Sequence, residues 1–254
     1  MKDLSNKITI LIAAKVDHED RLRNIRITLD YLRSLFKVNI IVSEQDTSSK
    51  LHDICKEFEC QHIFHETDEF FNRQRGVNIA AKAATTPVIA HYDADILLRP
   101  EQIVGATEAI INGQAQLVYP YDGRFYDVPE QYFDTINVTK DLREVDLNEC
   151  TLFNSHSVGG VVFFDREHYW KCGGANEHFK SVGYEDNEIN NRFKKLGTKI
   201  ARTEWPLWHL THARGETSYN HNPHIKFNRD YYMEIESMTP DELKAHVDEW
   251  NWHK

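Results

Sequence analysis

The sequence has little of what several classes of protein require. Its 254 residues include only four cysteines, none in a CxxC pair, so neither a disulfide framework nor a cysteine metal site is indicated. The formal net charge is −10, whereas general nucleic-acid binding requires a basic surface. No apolar run is long enough for a transmembrane segment, and the N-terminus lacks a signal-peptide pattern. These features predict a cytoplasmic protein without nucleic-acid partners.

The hydrophobic residues, 41% of the chain, alternate between strand and helix patterns. Apolar runs predict strands at residues 8–14, 38–42, 61–64, 88–90, 117–120, 158–164 and 198–203. Helical spacing predicts helices at residues 19–36, 49–58, 70–84, 100–111, 166–172 and 185–196. Residues 120–150 read as irregular. The alternation predicts an α/β fold with a mostly parallel central sheet and helices on both faces.

An acidic turn, Asp93-Ala94-Asp95, directly follows the predicted strand at 88–90. Two carboxylates are costly to bury in a partly enclosed site, and a divalent cation offsets that cost and can hold a diphosphate. The alternative is an acidic loop in solvent. Further polar or small residues follow other strands and should lie at the same ligand-binding edge of the sheet: Ala13, Lys15, Asp17 and Glu44.

Two other segments carry candidate site residues. Gly159-Gly160 opens a strand, which indicates close approach of a ligand or another strand to the backbone. Glu185-Asp186 begins a helix after a glycine-containing loop at 175–184. Acidic residues at a helix start are also favoured by the helix dipole alone, so this cluster has a purely structural alternative.

Three segments, in order, resemble the β-1,4-galactosyltransferase type of GT-A glycosyltransferase. The first is residues 71–80, FNRQRGVNIA, followed by the acidic turn, which resembles that family's FNRAxxxNxG segment ahead of its DxD motif. The second runs from Gly159-Gly160 to Glu185-Asp186 and resembles the family's GGV…NGF…WGWGGEDDD block. The third is residues 209–212, HLTH, in place of a metal-binding MxxH. Together they span roughly residues 8–215, which is most of the chain.

The resemblance implies a role for each matching residue. Asp95 and His212 resemble metal ligands, His209 stands where the family has a methionine ligand, and the metal would be Mn²⁺ or Mg²⁺. Asp186 resembles the catalytic base, with Glu185 beside it orienting the acceptor or sugar. The residues expected to contact the nucleotide sugar are Phe71, Arg73, Asn78, Asp93, Ala94 and Gly160, together with Ala13, Lys15, Asp17 and Glu44.

Three departures from the family concern the substrates. The tryptophan that packs on the acceptor sugar corresponds here to Val182, and Tyr184 replaces a glycine, so a different acceptor is expected. Ser157 stands near the residue that limits room at the donor's C2 substituent. A small side chain there would admit an N-acetyl group, so UDP-GalNAc is as credible a donor as UDP-Gal.

The resulting expectation is a metal-dependent, inverting hexosyltransferase acting from a UDP-sugar onto an oligosaccharide or lipid-linked glycan. By analogy it would make a bacterial surface polysaccharide in the cytoplasm, with peripheral association with the inner membrane as a further option. We expect a GT-A domain over residues 1–230, with a nucleotide half to about 115 and an acceptor half from about 116. A helical extension, 231–254, follows and packs on the body or forms a homodimer contact.

Three alternatives stay open. His209, His212, His221 and His224 form HxxH…HxxH, which could indicate zinc, although without cysteines the spacing is less specific than a zinc finger. A non-catalytic sugar-nucleotide or glycan-binding protein could share the fold. A metal-dependent nucleotidyltransferase would need a glycine- and lysine-rich phosphate loop after the first strand, and residues 13–17, AAKVD, form a poor one.

Overall fold

A computed structural model describes residues 1–213 and 222–253. The strands are β1 (Lys2–Asp3), β2 (Ile8–Ala14), β3 (Phe36–Lys37), β4 (Asn39–Asp46), β5 (Gln61–Glu66), β6 (Val88–Tyr92), β7 (Ile96–Leu97), β8 (Leu117–Tyr119), β9 (Phe125–Val128), β10 (Thr151–Asn154), β11 (Val161–Asp165), β12 (Ile200–Arg202) and β13 (Leu207–Leu210). The helices are α1 (Glu19–Leu35), α2 (His52–Glu57), α3 (Arg73–Ala83), α4 (Pro100–Ile111), α5 (Phe133–Thr139), α6 (Arg166–Lys171), α7 (Glu185–Lys195), α8 (Ile225–Ser237) and α9 (Pro240–Asp248).

The main sheet has seven strands in the order β12-β8-β11-β6-β2-β4-β5. All neighbours pair in parallel except β11, which runs antiparallel to both β6 and β8. All seven residues of β2 are buried, and since side chains alternate along a strand, both faces of the sheet must be covered there. The predicted mostly parallel α/β sheet is confirmed.

A second, four-stranded sheet has the order β10-β9-β13-β7. Sequence patterns did not predict it, since residues 120–150 read as irregular, yet this stretch contains β9 and α5 and leads into β10. In this sheet β13 pairs in parallel with β9 and antiparallel with β7, and His209 lies opposite both Ile96 and Asp127. The second sheet therefore brings the histidine segment beside the acidic turn, since β7 begins one residue after Asp95.

The C-terminal part contains α8 and α9. Sequence analysis predicted a helical extension over residues 231–254, and α8 begins before it, at Ile225. Thr239 and Glu242 form a capping box at the start of α9. Leu243, Val247 and Trp250 form a small core with Ile235. A Cβ built on Gly173 would lie 2.6 Å from Val247, so the extension packs on the body of the same chain.

None of the described helices combines the length and the apolar composition that crossing a bilayer requires.

Candidate active site

A cavity of about 400 Å³ opens where β2, β6 and β11 meet the second sheet. One part is lined by Ala13 and Lys15 at the end of β2 and by Phe71. The acidic turn, with Asp93, Ala94 and Asp95, lines its middle. A further part of the lining comes from the glycine pair before β11, the start of α7 and the histidine segment: Ser157, Val158, Gly159, Gly160, Val182, Gly183, Tyr184, Glu185, Asp186, Asn187, His209 and His212. Arg21, Arg73, Phe125, Phe153, Asn154 and His156 also line the cavity.

Asp95, His209 and His212 form a cluster whose possible ligand atoms all lie within 4.8 Å of one another. His212 Nε2 is 3.2 Å from Asp95 Oδ2, and His209 Nε2 is 3.7 Å from Asp95 Oδ1. The other ring nitrogen of His209, Nδ1, is 2.7 Å from Asp127 Oδ1. A carboxylate in that position fixes the ring so that Nε2 faces the cluster, as is usual for metal-binding histidines. The donor set therefore fits a divalent transition metal such as Mn²⁺.

The charges of this cluster are strongly coupled. Burial alone would raise the pKa of Asp95, but His209 and His212, with Arg21 Nη1 at 2.9 Å, hold it well below its usual range. Burial alone would lower the pKa of His209, but Asp95 and Asp127 outweigh it and raise the pKa to about 9. A metal ion would therefore have to displace a proton from His209, which makes its affinity fall at low pH.

Arg73 connects the acidic turn to the start of α7. It is the first residue of α3, whose N-cap is Asn72, and its side chain is 9% exposed. Its Nη1 donates to both carboxylate oxygens of Asp93 at 3.1 Å, and its Nη2 donates to Glu185 at 2.8 Å and to Asp186 at 2.6 Å. One guanidinium thus fixes three carboxylates that are far apart in sequence.

Glu185 and Asp186 differ in their environments. The Glu185 side chain is 4% exposed and also accepts a hydrogen bond from the Gly183 amide, whereas the Asp186 side chain is 29% exposed. Burial, with a smaller contribution from Asp186, raises the pKa of Glu185 to about 7 despite the opposing charge of Arg73. Asp186 is therefore the carboxylate of this pair that a substrate in the cavity can reach.

The sequence indicated that a ligand or another strand comes close to the backbone of the glycine pair. In the structure, side chains come close to both glycines. A Cβ built on Gly159 would lie 2.3 Å from Asp186 Oδ2, so only glycine leaves room for that carboxylate. Gly160 has φ +84°, and a Cβ there would lie 3.1 Å from the ring of Phe125. Tyr121 Oη donates to the carbonyl of Gly159 at 2.7 Å, which holds the pair in place.

Three residues predicted at the nucleotide lie outside the cavity's lining and have protein partners. Glu44 is fully buried and accepts from Ser49 Oγ at 2.9 Å and from the Lys50 amide at 2.7 Å; its carboxylate also lies 2.9 Å from His62 Nε2.

Asn78 binds the loop before α7, donating to the Ala175 carbonyl and to Glu177, both at 2.8 Å. Asp17 lies 3.7 Å from Arg21. The contacts described for these three residues are with protein groups, and their contact with the nucleotide stays a prediction.

Two histidines of the HxxH…HxxH motif, His209 and His212, lie in the cluster with Asp95. Within residues 1–213 and 222–253, Asp95, His209 and His212 are the one group of histidine, cysteine or acidic side chains with metal-binding spacing, and His224 is not in it. The ring of His224 instead packs edge-on against Phe70, with centroids 4.9 Å apart. His221 lies outside the described residues. Sequence analysis missed Asp127 and Arg21, whose contacts with the cluster depend on pairings far apart in the chain.

Comparisons with known proteins agree with this architecture. A family described as the N-terminal domain of galactosyltransferase matches residues 142–216. β-1,4-Galactosyltransferase 7 of Mus musculus is 23% identical over 144 residues, which cover 56% of this chain and 36% of that protein. The chain thus matches little more than a third of the length of this relative.

Solved structures are similar over more of the chain. Glucosyl-3-phosphoglycerate synthase from Mycobacterium tuberculosis superposes with a TM-score of 0.58 at 13% identity, covering 90% of this chain and 80% of that one. A mannosyltransferase from Pyrobaculum calidifontis gives a TM-score of 0.54 at 14% identity, covering 96% and 69%. At such identities the likeness shows the fold. The chain has the GT-A glycosyltransferase fold, and its residues 142–216 are similar to a galactosyltransferase domain.

Proposed function

We propose that this protein is a metal-dependent, inverting glycosyltransferase that transfers galactose, N-acetylgalactosamine or a related hexose from a UDP-sugar to a glycan. The observation that carries the proposal is that the Asp95-His209-His212 cluster and Asp186 line one cavity, where Arg73 connects Asp186 to Asp93 of the same acidic turn as Asp95. The mycobacterial structure contains Mn²⁺ and UDP-glucose, which supports the same type of donor here. Two imidazole donors favour Mn²⁺ over Mg²⁺, which prefers oxygen ligands.

The role that we propose for each site residue is based on its contacts in the cavity. Asp95, His209 and His212 would hold the cation, which when bound supplies Lewis-acid stabilisation of the departing diphosphate. Asp186 would accept the proton of the acceptor hydroxyl as that oxygen attacks the anomeric carbon. Arg73 orients Asp186 through its hydrogen bond, and it also fixes Asp93, which we assign to the nucleotide. Inversion requires this base on the face of the sugar opposite to UDP.

The substrate details remain proposals. Ser157 lines the cavity and is small, which supports a donor with either a hydroxyl or an N-acetyl group at C2. The acceptor would be an oligosaccharide or a lipid-linked glycan in bacterial surface polysaccharide synthesis. We place the reaction in the cytoplasm or at the inner face of the membrane. A non-catalytic sugar-nucleotide-binding protein is the second candidate, but the partly exposed, Arg73-bound Asp186 favours catalysis.

A donor comparison tests the proposal. We expect UDP release with Mn²⁺ to be fastest from UDP-galactose or UDP-N-acetylgalactosamine among the four common UDP-hexoses. Chelation of the metal should abolish release. The measurement is UDP formed with pooled oligosaccharide acceptors, alongside calorimetry of UDP binding. UDP binding without turnover of any donor would favour the binding protein, and absence of both would contradict the whole proposal.

Substituting Gly159 with alanine tests the geometry at Asp186. The new Cβ would contact the Asp186 carboxylate, so the carboxylate must turn away from Arg73. We expect kcat to fall about 10- to 100-fold, as for a catalytic group displaced by about 1 Å, with UDP affinity unchanged.

The matched control for this substitution is Gly105→Ala in α4, where an added Cβ meets no atom within 4 Å. That variant should behave as wild type. Equal activity of both variants would show that Asp186 does not need its present position.

A further inference from the structure

An exposed aromatic side chain lies at the edge of the second sheet. β10 is the edge strand, and all four of its residues are exposed. Phe153 is 56% exposed and Leu152 is 47% exposed, which is unusual for large apolar side chains on an edge strand. A binding surface is one reason for such exposure, so the direction of each side chain matters.

The two side chains point to different places. Only Phe153 of the two lines the cavity, and the register of β10 against β9 shifts between Leu152 and Asn154, at Phe153. Its ring lies 5.5 Å from that of Phe125, and Phe125 lies 5.2 Å from the ring of His209. Phe153 and Phe125 together form an aromatic platform inside the cavity, and Leu152 is not part of it.

The position of the platform indicates what it binds. Along the sheet edge, β2 lies on one side of β6 and the acidic turn, and β11 lies on the other. Phe125 packs against Gly160 at the start of β11, next to Gly159 and Asp186. The platform is therefore on the Asp186 side of the acidic turn, away from Ala13 and Lys15 at the end of β2. Asn154 and His156 add hydrogen-bonding groups to the same part of the lining.

We propose that Phe153, supported by Phe125, binds the apolar face of the acceptor's pyranose ring and positions its hydroxyl at Asp186. The inference rests on the proposed function and names a residue for its acceptor subsite. A sugar ring has one face of C–H groups, and stacking it on an aromatic ring removes apolar surface of both from water. Val182 stands where similar enzymes have a tryptophan, so the aromatic surface comes from another strand.

The test is direct binding of methyl β-glycosides. Saturation-transfer NMR would use the glucoside, galactoside, xyloside and N-acetylglucosaminide, with the full chain loaded with UDP and Mn²⁺. We expect at least one glycoside to bind the wild type and Phe153→Ala to weaken its binding about 10- to 100-fold. Phe153→Tyr should restore binding, and Leu152→Ala, the matched control on the same strand, should leave it unchanged. In turnover assays, Phe153→Ala should raise the KM for the acceptor without changing UDP affinity.

The outcomes separate this inference from the proposed function. Unchanged glycoside binding in Phe153→Ala, or no glycoside bound by a wild type that binds UDP and Mn²⁺, would overturn the acceptor platform alone. An equal loss in Leu152→Ala would also overturn it, since the loss would then follow from disturbance of the edge strand. A wild type that binds neither UDP nor metal would contradict the proposed function itself.

Discussion

Replacing Asp186 with asparagine is expected to lower kcat by about 10²- to 10⁴-fold, the usual contribution of a general base. Asparagine has nearly the same shape and can still accept the hydrogen bond from Arg73 Nη2, which is 2.6 Å from Asp186 Oδ1. It cannot take the proton of the acceptor hydroxyl. The loss should therefore appear in turnover, with folding and UDP binding retained. The measurement is kcat with the best donor, beside calorimetric titration with UDP and Mn²⁺.

Glu185→Gln is the control, because Glu185 binds the same arginine. Its side chain is 4% exposed, so a substrate in the cavity has little access to it, although burial raises its pKa to about 7. We expect this variant to lose less activity than Asp186→Asn. The reverse order, with Asp186→Asn nearly normal and Glu185→Gln inactive, would assign the base to Glu185.

The nucleotide half of the fold could be predicted because its signal is local. The strands β2 and β6 are wholly buried apolar runs, and α1 has a clear apolar stripe, so both patterns stand out in the sequence. The second sheet gives no such signal. All of β10 is exposed and all of β13 is buried, so neither strand shows the alternation that marks a half-buried strand. Only two residues of α8 are buried, so this helix has only a weak apolar stripe in the sequence.

The residues of the candidate site divide in the same way. Some belong to recognisable sequence motifs, whereas others reach the site only through contacts between distant parts of the chain. The motif segments were enough to group Asp95, His209 and His212, and the structure brings these three together. Asp127 could not be found in this way, because its contact with His209 depends on the register of β9 against β13, across 82 residues. Glu44 lies near the carboxyl end of β4, beside the site, but its carboxylate contacts the Lys50 amide and His62, which its sequence position does not reveal.

Replacing Asp95 with alanine is expected to abolish the dependence of UDP binding on Mn²⁺. Asp95 is the one carboxylate of the cluster, and the alanine variant would leave two imidazoles beside Arg21, whose Nη1 is now 2.9 Å from Asp95 Oδ2. The Arg21 cation, without its ion pair to Asp95, would repel a metal ion. Loss of a residue that only hydrogen-bonds to a metal ligand lowers metal affinity about 10- to 100-fold. Loss of the ligand Asp95 itself should therefore lower metal affinity by more than about 100-fold.

Calorimetry of UDP with and without Mn²⁺ measures this effect, with Asp127→Asn as a graded control. Asp127 contacts His209 Nδ1 and lies outside the cluster, so that variant should weaken Mn²⁺-dependent binding by the smaller factor of about 10- to 100-fold. If Asp95→Ala bound UDP and Mn²⁺ as the wild type does, these three side chains would not hold the metal. The Asp95-His209-His212 cluster would then be a buried ion pair that links the acidic turn to β13.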